Sequence, residues 1–218
     1  MKKIVLFSIA VTTLSAVFAQ SEKYMKAMQT NVSALDSLHT VDAWTDMTNT
    51  FQRIAEVEKT QWLPYYYAAL SHVMSGLMMG QGQMGGIADK VDPVADKAEE
   101  LIIKAEALGK ENSEIYCVKK LIATLRMMGD PMTRWQTQGP IATEALNRAR
   151  ALNPQNPRVY LLEAQDKFYT PEQFGGSKTE AKALFEESLK KYESFKPESD
   201  IHPNWGKSQA QYFLSQLK

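Results

Sequence analysis

One cysteine, three histidines, no net charge and, beyond residue 19, no long apolar run are the shortages that bound this 218-residue chain. A single cysteine, Cys117, cannot form an internal disulfide, so stability must come from packing. Cys117 itself reads as a small apolar residue on a helix. His39, His72 and His202 stand apart, with no H-E-x-x-H or paired ligand spacing, which removes the usual zinc sites. Lysine plus arginine equals aspartate plus glutamate at 25 each, so no basic field invites nucleic acid or an anionic membrane. No G-x-S-x-G occurs, and no carboxylate pair stands out from solvated faces such as Glu99-Glu100 and Glu186-Glu187. No segment alternates apolar and polar residues as a half-buried strand does. The chain reads as all-α and non-catalytic, with no cofactor and no metal site expected.

What is present begins with a leader. Lys2 and Lys3 precede an apolar run, Ile4 to Phe18, and Val17-Phe18-Ala19 suits cleavage before Gln20. Residues 1–19 are expected to be a signal peptide and 20–218 one helical-repeat domain of net charge −2, periplasmic or secreted. The run is short for a span of about 20 residues, so no stable membrane insertion is expected after cleavage. No cysteine follows it to carry a lipid.

Apolar residues then recur at helical spacing. Stretches Glu22–Leu38, Trp62–Met79, Pro93–Leu108, Ser113–Met128 and Ile141–Leu152 are predicted helices, as is one that starts at Thr40-Val41-Asp42 and carries the stripe Trp44, Met47, Phe51, Ile54 and Val57. Two more are joined by a Gly-Gly loop between Asn153 and Pro197, and Trp205–Leu217 is the last. Gly80–Asp92 and Asp130–Gly139 read as loops, the second with a turn of helix over Met132–Gln138 before Gly139-Pro140.

Three second-helix stripes are each followed eleven residues later by a tyrosine. Met47, Phe51 and Ile54 lead to Tyr65. Ala98, Ile102 and Ala105 lead to Tyr116. Ala142, Leu146 and Ala149 lead to Tyr160. Tyr65 with Ala69, and Tyr160 with Ala164, repeat an aromatic-small pair; Tyr116 has Lys120 instead. The chain from about Val41 to Leu217 resembles the tetratricopeptide-repeat family. That resemblance implies a short right-handed solenoid of antiparallel helix pairs. The turn inside each pair exceeds the family's period by about 17, 10 and 5 residues, all on one expected edge of the solenoid. The Phe174-Gly175-Gly176 entry to a helix is similar to one in extracytoplasmic helical-repeat subunits of tripartite solute transporters.

Two motifs lead to bland readings. Gly80-Gln81-Gly82-Gln83-Met84-Gly85 has the dinucleotide spacing but follows a helix, not a strand. Ser177-Lys178-Thr179-Glu180 reads as a capping box. The repeat register offers two interaction surfaces. First helices would line an apolar groove with Tyr66, Leu70, Cys117, Leu121, Leu161 and Phe168. The inserted edge would carry Met78, Met79, Met84, Met127, Met128 and Met132, adaptable thioethers beside Gly-rich loops. These point to an envelope scaffold for a protein or peptide partner, with self-association as one way to fill the groove. The alternative is an extracytoplasmic carrier of a small molecule or metal, associated with transport.

Overall fold

The computed structural model describes residues 22–83 and 85–217, so the leader and Met84 lie outside the described residues. No strand occurs among the described residues. The helices are α1 (22–34), α2 (Val41–Val57), α3 (Trp62–Met79), α4 (Ala88–Gly109), α5 (Ser113–Gly129), α6 (Pro131–Leu152), α7 (Pro157–Tyr169), α8 (Lys178–Ser194) and α9 (Lys207–Ser215). None of them is long and apolar enough to cross a membrane.

Local chemistry sets most of the starts. Thr40, Asn112, Asn156 and Ser177 accept backbone N–H bonds from the first turns of α2, α5, α7 and α8. Only half of the expected capping box forms: Glu180 N donates to Ser177 Oγ, but the Glu180 carboxylate pairs with Lys167.

Two expected loops prove shorter. α4 starts at Ala88, five residues before Pro93, because Ile87 N donates to Gly129 O and Val91 is fully buried. Asp130–Gly139 is helical, not a loop. Pro131 opens α6, and Arg134 forms a bidentate bond to Asp92 at 2.6 and 2.8 Å while donating to Arg126 O. Tertiary contacts thus carry the helix through Gly139-Pro140, which propensity alone disfavours.

From α2 to α6, and again from α7 to α9, consecutive helices pack side by side; α3 also packs on α5, and α5 on α7. These three run in the same direction. Gly76 and Leu125, both late in their helices, face each other across α3 and α5. Asn156 and Ser113, both at helix starts, are hydrogen-bonded across α7 and α5. The turns after α3, α5 and α7 therefore emerge at one end. The core runs through α3, which is buried nearly all round (Tyr66, Tyr67, Ala68, Ala69, Val73), with Phe51 stacked on Tyr67 at 5.0 Å.

Candidate ligand groove

The first-helix groove read from the sequence is not an open surface. Tyr66, Leu70, Cys117, Leu121 and Leu161 are buried, and Phe168 is half-buried against Phe213 at 5.3 Å. The chain's own C-terminal segment fills the space. Tyr67 donates to Ile201 O at 3.0 Å, Trp205 Nε1 donates to Tyr66 Oη at 2.8 Å, and Tyr192 donates to Trp205 O at 2.6 Å. Gly206 leaves no room for a side chain, since a Cβ would lie 2.5 Å from Tyr192 Oη and 2.7 Å from Leu161 Cδ2. Cys117 is fully enclosed, and burial pushes its thiol pKa up, as expected of a packed, unreactive cysteine.

The expected methionine edge falls at the ends of α3 and α5. Met128 Cε lies 2.7 Å from where a Gly80 Cβ would be, so the ends of α3 and α5 meet. Met78, Met79, Met127 and Met128 are half-buried in that junction, and Met132 is exposed. Gly85, the last glycine of the G-x-G-x-x-G spacing, lies against Pro131 between α3 and α4. His72 is half-buried between Gln52 and Lys97, its pKa lowered by burial and then by that lysine.

A different concavity is open. α4 and α6 flank α5, and between them lies a groove of about 1070 Å³. Its floor is Ile122, Ala123 and Tyr116 from α5; its walls are Ile102 and Ile103 from α4, and Ile141, Ala145 and Ala151 from α6. The alanines keep the walls apart. Ile103 and Ile141 are 55% and 51% exposed and give the groove an apolar opening. At the corresponding place on α7, Tyr160 carries Lys191 at 4.5 Å and Arg150 at 5.4 Å on its ring.

The groove's rim is charged at both ends. At the Tyr116 end, Tyr116 donates to Glu111 Oε1 at 2.9 Å. Arg148 Nε and Nη2 grip the same carboxylate at 2.7 and 2.6 Å. Arg148 and Tyr116 hold the Glu111 pKa down at about 2. Lys119 Nζ lies 4.6 Å over the Tyr116 ring and donates to Glu106 at 2.6 Å. At the other end, Arg126 ties Asp96 (2.7 Å) and Glu99 (2.6 Å) of α4 to α5. A volume slightly above the usual range for small-molecule pockets, with an apolar floor under a largely charged rim, leaves room for a large organic ligand. The repeat register points to Cys117 and Leu121 on α5, whereas this groove is floored by Tyr116, Ile122 and Ala123 on another face of that helix, with α4 and α6 as walls. The signal available was Ile103 and Ile141, apolar residues lying off the packing stripes Ala98-Ile102-Ala105 and Ala142-Leu146-Ala149.

No protein-family model and no curated protein matches the sequence. A solved structure does: the HusA haemophore from Porphyromonas gingivalis, at 35% sequence identity and a TM-score of 0.76, over 89% of this chain and 92% of that one. The chain belongs to the family of the HusA haemophore. Membership overturns the expectation of a protein-interaction scaffold with a protein or peptide partner, since a haemophore's partner is a small molecule. It agrees with the alternative drawn from the sequence, a small-molecule carrier. The physical cause of the error is the filled first-helix groove. The surface on which a partner peptide was expected is already occupied by residues 201–206.

Proposed function

We propose that this protein is an exported, non-catalytic carrier of haem, which it holds in the α4–α5–α6 groove. Kinship with the HusA haemophore carries the reading. The groove supports it independently. Its isoleucines offer a broad apolar surface to a flat macrocycle, and covering apolar area is worth about 25 cal/mol per Å². The lining has no histidine, cysteine or methionine, and the Tyr116 hydroxyl is engaged with Glu111. Affinity then comes from contact with the macrocycle and from its carboxylates. Export fits the leader over residues 1–19 with a single domain over 20–218, whether that domain stays in the periplasm or is secreted. The parallel stacking of α3, α5 and α7 supports a short right-handed solenoid of the tetratricopeptide kind.

Titrating residues 20–218 with haem tests the carrier reading. A saturable shift of the haem absorption band at a fixed stoichiometry is expected. Absence of saturable binding removes it.

A further inference from the structure

The two ends of the groove are not equivalent as receptors for an anion. They are ten residues apart on α5, Tyr116 to Arg126, or about 15 Å at 1.5 Å per residue. Haem carries its two carboxylates on one edge, so it uses one end for them.

Arg148 and Arg126 each spend two of their five N–H donors on carboxylates, so the ends differ in how many cations each has and in what faces them. Both terminal nitrogens of Arg126 already hold carboxylates, Nη1 on Asp96 and Nη2 on Glu99. That end therefore presents one cation against two acids. Arg148 uses Nε and Nη2 on the single carboxylate of Glu111, leaving Nη1 without a carboxylate. Lys119 spends one of its three donors on Glu106. Both cations flank Tyr116: Lys119 sits over its ring, and Arg148 shares Glu111 with its hydroxyl. This end has two cations, Arg148 and Lys119, with five N–H donors between them not spent on a carboxylate, whereas Arg126 alone has three. Tyr116 and Glu111 also fix the guanidinium in place, so little side-chain freedom remains to be lost on binding.

Building on the haem-carrier reading, we propose that haem lies in the groove with its carboxylate edge toward Tyr116, received by Arg148 Nη1 and Lys119 Nζ, and its uncharged edge toward Arg126. Arg148 and Lys119 then set selectivity for carboxylate-bearing tetrapyrroles. Arg126 serves as the tie between α4 and α5.

The test compares haem with its dimethyl ester, which keeps the macrocycle and loses both charges, on the wild type and on Arg148→Gln, Lys119→Gln and Arg126→Gln. Wild type should prefer haem. Arg148→Gln and Lys119→Gln should each reduce that preference, by about tenfold for a charge-assisted bond. Arg126→Gln should shift both ligands by the same factor. The orientation is overturned if wild type binds ester and acid equally, if the preference survives in Arg148→Gln and Lys119→Gln, or if Arg126→Gln abolishes it. Any of these leaves haem carriage standing. A wild type that binds neither ligand removes the carrier reading itself.

Discussion

Trp205 donates its indole N–H to the hydroxyl of Tyr66 at 2.8 Å, joining two buried residues 139 positions apart. The bond anchors the segment between α8 and α9 onto α3. Trp205→Ala removes both the ring and the anchor. A loss of about 3–5 kcal/mol is expected, read from urea unfolding. An unchanged midpoint would show that the segment is not part of the folded core.

Arg158 is fully buried on α7 and bonds Glu114 of α5 through Nε (2.7 Å) and Nη2. Burial alone would disfavour its charge, but Glu114 more than offsets this and holds its pKa up. Arg158→Ala strands a mostly buried carboxylate and should cost about 3–5 kcal/mol. Arg158→Met with Glu114→Leu should recover much of that, which a double-mutant cycle measures.

Ile141→Asp places a charge on the apolar wall of the groove at a half-exposed position. Stability should change by less than about 0.5 kcal/mol. Haem affinity should fall at least about tenfold, because an unpaired carboxylate would be covered by the macrocycle. Equal haem titration curves for variant and wild type would move the ligand elsewhere.

Glu111 is held at about 2, below its ordinary 4.5, by Arg148 first and Tyr116 second. The sign follows from linkage. A lowered folded-state value stabilises above the unfolded value and is lost as pH falls through the folded one. The Tyr116–Glu111–Arg148 tie should thus be intact above pH 4.5 and break as pH approaches about 2. Carboxyl-carbon NMR should give a Glu111 midpoint near 2 that rises in Arg148→Gln.

Gly176 approaches the backbone so closely that an added Cβ would lie 1.7 Å from Thr170 O. Gly176→Ala must open the turn between α7 and α8, where Ser177 N donates to Lys167 O. A loss of about 1–3 kcal/mol is expected, seen as a lower melting temperature. Ala at this position with no thermal effect would contradict the turn geometry.

Much of the helical content is legible from residue spacing. Thr40, Asn112, Asn156 and Ser177 act within one turn of themselves, so their caps can be read without knowing the fold. Asp130–Gly139 could not be read this way. Its helix depends on Arg134 reaching Asp92, 42 residues away, and Gly139-Pro140 signals the opposite locally. The same limit governs the sites. Apolar spacing marks Tyr66, Leu70 and Leu161 as lying on a helix face, but whether that face is open depends on where residues 201–206 go.

The sequence by itself determined the all-α class and most helix starts, because these follow from periods of three to four residues and from capping groups acting nearby. Tertiary structure decided which concavity stays open. Residues 201–206 close the first-helix face, and the small side chains of Ala123, Ala145 and Ala151 leave room between α4 and α6. Each of those outcomes depends on volume and charge brought together from distant parts of the chain, which no local spacing encodes.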